Sequence, residues 1–279
     1  MTDLACAKRD RGVRKGRSPR PWCVRGLAGC LLCFALVILP WSGWAAGPQG
    51  HVITLVTEEM RPFNYTQDGS LYGFSADLVR AALDAAGLAY TIDVLPWPRA
   101  LDRALKDRNV FIFSMARTPQ RESNFIWVHA LASAQVRLFR LASRADLAQV
   151  DRRELSSFRT ATIREYFTSE ILAQWGVPDR KSVFFGDERK RAVLEHLELG
   201  RSDFFLGDPL IFAHEIKTAG MEGRIVPHGE AIRVGDYYLA ANAGTDLELV
   251  EQVRAAVAGV FERGEVEALR DRYLKIPAP

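Results

Sequence analysis

The stretch Asn109–Arg121, NVFIFSMARTPQR, decides how the rest of the chain is read. Val110–Phe113 is continuously apolar and too short for a helix, so it reads as a strand buried on both faces. The sequence then turns polar at once. Thr118-Pro119 pairs a capping hydroxyl with a proline where a missing N–H costs nothing, which predicts a new helix with Arg121 in its first turn. In an open α/β sheet, ligands collect beyond the carboxyl ends of the strands, where helix N-termini present free N–H groups. Arg117 and Arg121 beside such an end form a candidate anion site, because a guanidinium pairs with a carboxylate through two parallel hydrogen bonds. The alternative is that both are solvated surface charges.

Working outward, Val52–Thr57 reads as a strand ending in Glu58-Glu59-Met60-Arg61-Pro62-Phe63, so polar and aromatic groups again gather at a strand's carboxyl end. Asp68-Gly69 is a turn. Tyr72–Ala86 carries Leu78, Val79, Ala82, Leu83 and Ala86 on one helical face and stops at Gly87. Tyr90–Leu95 is the next strand, and Pro96-Trp97-Pro98-Arg99 opens a helix reaching about Lys106. This β-α-β-α-β-α order predicts a parallel sheet with helices on both faces. Beyond it, Phe125–Trp127 leads through small residues at Ala130–Ala134 to a strand at Val136–Leu141. A second α/β series follows: a strand at Thr160–Ile163, a helix from about Tyr166 to Trp175, a strand at Ser182–Phe185, a helix from Glu188 to about Leu199 and a strand at Phe204–Leu206. Asp208-Pro209 ends that strand as Thr118-Pro119 ends the earlier one. A strand at Tyr237–Ala241 and a helical segment at Leu247–Tyr273 complete the pattern, with no Gly/Ser linker and no short repeat between the two series.

With 279 residues, 48% hydrophobic and 25% charged, the composition is that of an ordinary globular protein with room for two domains. The formal charge of +3 is unevenly placed. Residues 1–26 hold eight basic residues against Asp3 and Asp10, a net of +6, which leaves −3 for residues 27–279. The basic character therefore belongs to the N-terminal segment, and nucleic-acid binding loses its main support. That segment runs from basic residues to the apolar Leu27–Leu39 and then to Pro40 and small residues around Gly43–Gly47, the order of an export signal spanning residues 1–46. Its apolar run is short for a membrane span. Leu27-Ala28-Gly29-Cys30 resembles a lipoprotein processing box but precedes the apolar run that it should follow. All four cysteines (Cys6, Cys23, Cys30, Cys33) lie in the same segment, so a processed chain would carry neither disulfide nor thiol nucleophile.

The order of motifs resembles the bacterial extracellular solute-binding proteins of the polar amino-acid uptake class, family 3. The matching pieces are Arg61-Pro62-Phe63-Asn64-Tyr65, then Asp68-Gly69 with Tyr72-Gly73-Phe74-Ser75-Ala76-Asp77-Leu78-Val79, and Trp97. Arg117-Thr118-Pro119-Gln120-Arg121-Glu122 with Phe125 and Trp127 follows, then Gly200-Arg201-Ser202-Asp203 with Asp208, and Gly244-Thr245-Asp246-Leu247-Glu248-Leu249. The resemblance implies an α/β, periplasmic-binding-protein-like (type II) fold. Each of its two lobes, 52–134 with 237–279 and 135–236, would be a mainly parallel sheet flanked by helices, and two crossing hinge strands would join them. It implies a periplasmic protein that traps a small carboxylate-bearing ligand, an amino acid or organic acid, for an ABC permease in the inner membrane, without a cofactor. Residue by residue, it makes Arg121 the clamp on the ligand carboxylate. It sets Ser114, Ala116 and Thr118 around the ligand and gives Asp208 the ligand's α-ammonium. A carboxylate opposite an arginine suits a zwitterion, since each charge desolvated on closure needs a partner. Asp208 could instead cap the next helix.

The chain departs from the family pattern at Ile163-Arg164-Glu165-Tyr166, where a glycine and small hydroxyl residues are usual. Arg164 becomes a candidate for a second anionic group, or else a surface charge, and Tyr166 a candidate stacking ring. Glu58, Glu59 and Met60 occupy the loop that lines the side-chain pocket in relatives. A glutamate inside the cleft would favour a cationic ligand tail, although surface positions are expected for both. Trp97 and Phe63 are read as stacking rings or core. Two other readings remain. A stand-alone periplasmic sensor would use the same site, and an elimination or dehydratase-type enzyme would need a carboxylate base such as Glu165 in a dry cleft. The histidines are scattered, no Gly-x-Ser-x-Gly elbow occurs, and no metal-ligand spacing is seen.

Overall fold

The computed structural model describes residues 52–164, 166–185 and 190–275. The export signal, the four cysteines and Glu165 lie outside the described residues. In chain order the elements are β1 (Ile53–Thr57), β2 (Tyr65–Gln67), β3 (Ser70–Tyr72), α1 (Phe74–Ala85), β4 (Tyr90–Val94), α2 (Trp97–Lys106), β5 (Val110–Ala116) and β6 (Phe125–Leu141). There follow β7 (Thr160–Ile163), α3 (Phe167–Gln174), β8 (Ser182–Phe185), α4 (Lys190–Glu198), β9 (Phe204–Gly207), α5 (Pro209–Thr218), β10 (Ile225–Asn242), α6 (Leu247–Glu262) and α7 (Glu265–Tyr273).

One eight-stranded sheet runs β4-β1-β5-β10-β6-β9-β7-β8, and β2 and β3 form a separate hairpin. Pairing is parallel within β4-β1-β5 and within β9-β7-β8, and antiparallel where β10 and β6 intervene. The long strands β6 and β10 pair from Asn242↔Phe125 to Ile225↔Leu141. The first parallel group attaches through Tyr237–Ala241 of β10, and the second through Arg137–Phe139 of β6. Each group thus hangs from the opposite half of one shared ribbon, the two-lobed α/β arrangement with two connecting strands. Register shifts between Arg233 and Gly235 and between Tyr237 and Tyr238 interrupt that ribbon near its middle, and such bulges bend a strand and sharpen its twist.

Burial follows the sequence pattern. Every residue of β5 is buried, as a central strand covered on both faces requires. Helix α1 buries Leu78, Val79, Ala82 and Leu83, and packs against α6, which buries Val250, Val253, Val257 and Val260 at helical spacing. Each such side chain removed from water contributes about 1.5–3 kcal/mol.

Three expectations are corrected. Thr118-Pro119 starts no α-helix: a turn follows β5, and Arg121 caps a short 3-10 helix, Glu122–Asn124. Only a few residues, with no apolar face to bury, separate Pro119 from the strand at Phe125, so a helix there would gain nothing from packing. The small residues Ala130–Ala134 belong to the continuous strand β6. The C-terminal helix is two helices, broken at Gly264, whose φ of 73° is the left-handed conformation glycine accepts.

The loop after β1 is shaped by two contacts. Gly73 has φ 123°, and an added Cβ would lie 2.4 Å from the Phe63 carbonyl oxygen, which accepts the Ser75 N–H at 2.9 Å. Asn64 donates from its side chain to the Glu58 carbonyl, and the Met60 N–H bonds back to the Asn64 carbonyl at 2.6 Å. Curled in this way, the loop turns Glu58 inward, while Glu59 stays exposed.

Candidate functional site

The carboxyl ends of the first parallel group meet the start of α3 around a small cavity. Glu58 and Met60 follow β1, Trp97 opens α2, Ser114 and Ala116 end β5, and Arg121 follows in the turn. Tyr166 and Phe167 face them from the start of α3, and Tyr237 from β10. The space left is about 10 Å³, room for roughly one water molecule. The site is closed and filled by its own side chains.

Arg121 is 7% exposed. Its Nη1 donates to the Ala116 carbonyl at 3.1 Å, and its guanidinium lies 4.9 Å from the Trp97 ring centre. Burial pulls its pKa down, and the negative charges of Glu170 and Glu58 push it back up. Ser114 holds a positive φ of 61° within a strand, and its buried Oγ has no hydrogen-bond partner among the described residues. A strained backbone and an unsatisfied hydroxyl on one cavity wall are features that cluster at ligand sites.

Glu58 is 4% exposed. Its carboxylate accepts the Tyr166 hydroxyl from across the cavity, and Lys190 Nζ lies 3.7 Å from its Oε2. Lys190 also donates to the Glu59 carbonyl. The Tyr166 ring meets Trp97 edge-on at 6.1 Å. Thr118, buried beside the cavity, donates to Glu170 Oε1 at 3.3 Å. Glu170 Oε2 is buried with no hydrogen-bond partner among the described residues.

Of the residues singled out from sequence, Arg121, Ser114, Ala116, Met60, Trp97 and Tyr166 line one cavity, with Thr118 next to it. The others are placed elsewhere. Glu59 is exposed, and its carboxylate receives the Thr66 N–H at 2.9 and 3.1 Å. Arg164 is exposed and sits in an outer depression with Gln120 and Glu170. Arg117 is also exposed and forks onto the Glu122 carboxylate, which removes it from the anion site. Phe63 is core, packed 5.0 Å from Tyr237.

Asp208 caps α5. Its Oδ1 accepts the Leu210 N–H at 2.8 Å and the Ile211 N–H at 3.4 Å, and its Oδ2 accepts the Tyr237 hydroxyl at 2.9 Å. Burial pushes its carboxyl up to about 6 against the pull of those donors. Tyr237 lines the cavity and Asp208 does not, so the phenol occupies the carboxylate that the resemblance assigned to an ammonium.

Phe167 and Tyr237 line the cavity without having been picked out as site residues, and Glu58, for which a surface position was expected, is buried and lines it as well. A wider depression of about 590 Å³ lies on the outer side of the ribbon beside Arg137, Trp175 and His228. Most of its charged side chains are engaged: Arg137 donates to the Gly229 carbonyl, Arg152 lies over Trp175 and Arg153 pairs with Asp151. Among the described residues no three His, Cys, Asp or Glu side chains gather to hold a metal ion, and no helix is long and apolar enough to cross a membrane.

Two parallel groups on a shared pair of strands, with a closed polar cavity where their ends meet, define a two-lobed periplasmic-binding-protein-like fold. The chain belongs to the bacterial extracellular solute-binding proteins, family 3, whose profile matches residues 52–276. A family so described is one of exported binding proteins. Among solved structures, a histidine kinase sensor domain with similarity to periplasmic binding proteins superposes with TM-score 0.71 at 18% identity, covering 82% of this chain and 98% of that one. An ancestral arginine-binding protein bound to arginine gives 0.69 at 16%, covering 80% and 98%. The arginine-, lysine-, histidine-binding protein ArtJ from Geobacillus stearothermophilus gives 0.68 at 16%, covering 81% and 96%. A search of curated protein sequences gave no match.

Proposed function

We propose that the protein is exported by its N-terminal segment and captures a small carboxylate-bearing solute, an amino acid or related polar compound, for an ABC permease of the inner membrane. The segments 52–134 with 237–279, and 135–236, move as two lobes about the middle of β6 and β10, and the ligand enters when they part. The observation that carries this reading is the Arg121 guanidinium, 7% exposed on the wall of a cavity built from both sides. A buried guanidinium presented to a cavity suits a carboxylate, which it receives through two parallel bonds. The amino-acid-binding neighbours support the same ligand class. A periplasmic sensor of the same ligand is the second reading, supported by the similar fold of a histidine kinase sensor domain.

The test begins with a thermal-shift screen against amino acids, organic acids and amines, since a ligand at a hundred times its dissociation constant stabilises by about 2.7 kcal/mol. Calorimetric titration of Arg121→Ala with the best hit should then show a loss of about 2–5 kcal/mol, roughly 30- to several-thousand-fold in affinity. Arg121→Lys should lose most of that too, because an ammonium cannot reproduce the planar fork. Near-wild-type affinity in Arg121→Ala would remove the clamp.

A further inference from the structure

A depression of about 290 Å³ lies where the loop after β1 and the end of α7 meet α5, apart from the small cavity described above. Arg61, Tyr65, Arg272 and Lys275 line it from one side, and His214 and Lys217 from the other. None of the residues around it is an Asp or a Glu. Its two walls belong to different segments of the chain, 52–134 with 237–279 on one side and 135–236 on the other.

These cations are scattered along the sequence, and folding collects them. Like charges on facing walls repel, and neighbouring acids offset only part of that. Lys275 pairs with Asp271 at 3.0 Å, and Arg272 Nη1 lies 3.8 Å from Asp77 Oδ2. Arg61 and Lys217 form no ion pair among the described residues. What holds the Arg61 guanidinium is the Tyr65 ring, its centre 3.5 Å away, and Arg272 lies 5.1 Å from the centre of the Tyr273 ring. A guanidinium resting on an aromatic face keeps the N–H groups on its edge free to donate. The positive field also crosses the depression. Burial and then the charge of Arg61 lower the pKa of His214, Lys217 adds to this, and Glu215 opposes it.

We propose that this depression is a second binding site, for a phosphate-type oxyanion. A carboxylate has two oxygens in one plane and serves one guanidinium fork. A phosphoryl group carries oxygens on several sides and more than one charge, which suits donors converging from facing walls. Arg61 and Lys217 receive it, one from each wall, and Arg272 offers a second fork. Arg61 directly follows Met60, which lines the small cavity. An anion shared with Lys217 therefore ties the loop that walls the cavity to α5. The site makes no use of Arg121 and does not depend on the carboxylate-ligand reading above.

The probe is pyrophosphate, titrated by calorimetry against a sodium chloride control of matched ionic strength. It is tested on wild type, Arg61→Ala, Lys217→Ala and Arg153→Ala, the last removing an exposed cation outside the depression. Arg61→Ala and Lys217→Ala should each weaken binding by about tenfold or more, as loss of a hydrogen bond to a charged group does. Arg153→Ala makes the same change in net charge and should stay within about twofold of wild type. Sedimentation with vesicles of phosphatidylglycerol and phosphatidylcholine, set against phosphatidylcholine alone, distinguishes the sources of the anion. Co-sedimentation that pyrophosphate reverses assigns the site to a lipid headgroup, and pyrophosphate binding without co-sedimentation assigns it to a free phosphate compound. No pyrophosphate binding beyond the chloride control overturns the site, as does an equal loss in Arg153→Ala. A loss confined to Arg61→Ala or to Lys217→Ala overturns the bridge between the two walls.

Discussion

Replacing Asp208 with asparagine should change how stability depends on pH, and the structure sets both sign and size. The carboxyl is pushed from its ordinary 3.8 up to about 6 because burial disfavours the anion more than the Tyr237 hydroxyl and the helix N–H groups favour it. Between those values the folded protein holds a proton that the unfolded chain has released. Stability from this group is therefore complete below pH 3.8 and is lost as the pH rises through about 6. The gap corresponds to about 3 kcal/mol. Asparagine keeps an oxygen for the Leu210 N–H and cannot titrate, so all other groups cancel in the comparison. Urea unfolding of both proteins at pH 4, 5, 6 and 7 gives the difference directly. Wild type should lose about 2–2.5 kcal/mol relative to Asp208→Asn across that range, the remainder of the gap having been lost before pH 4. A difference that stays flat within about 0.5 kcal/mol would mean burial and hydrogen bonding cancel. A difference running the other way, with wild type gaining as the pH rises, would show that the donors outweigh burial and would refute the reasoning.

Two further outcomes follow from the same contacts. Tyr166→Phe removes the hydroxyl that bonds Glu58 across the cavity, a contact that must break before a ligand enters, so titration should show binding tighter by about 0.5–1.5 kcal/mol, roughly two- to tenfold. Small-angle scattering of unliganded Tyr166→Phe should then give a larger radius of gyration than wild type, and unchanged values in both assays would deny that this contact holds the cavity shut. Gly73→Ala brings a Cβ to 2.4 Å from the Phe63 carbonyl oxygen at a φ of 123°. Unfolding should show a loss of about 3 kcal/mol or more, with ligand affinity lowered because the loop carrying Glu58 is displaced.

The alternating elements were readable because each depends on a local pattern. The apolar run Val110–Phe113, the helical face of Leu78, Val79, Ala82 and Leu83, and the stop at Gly87 all sit where the sequence puts them. Thr118-Pro119 misled because a capping pair only permits a helix, and nothing after it has an apolar stripe to pack. Arg121 is nonetheless buried, brought inward by its bond to the Ala116 carbonyl within the turn. Glu58 and Glu59 are neighbours of the same type, and their opposite fates depend on Asn64 and on the approach of Gly73 to Phe63. Such contacts between turns leave no periodicity to read. The capture of Asp208, the cap of α5, by Tyr237 of β10 spans twenty-nine positions, and was legible only as the general possibility that an aspartate before Pro209 caps a helix.

The ribbon of β6 and β10 has one more consequence. Leu141 and Ile225 are paired across it, and the Ala142 N–H bonds to the Arg224 carbonyl at 2.8 Å. The chain therefore leaves the ribbon at one point, makes β7, β8, β9 and their helices, and returns to the place it left. In architectural terms the segment between Ala142 and Arg224 is a passenger in a hairpin, its ends as close as those of a tight turn. Insertions succeed where both ends of a segment meet at the surface, so this piece can be exchanged or redesigned as a unit. The half of the cavity that carries Arg121, Ser114 and Glu58 would keep its covalent frame. Ligand chemistry and the partner half that seals it are thereby separable variables, joined by two strands and free to change at different rates.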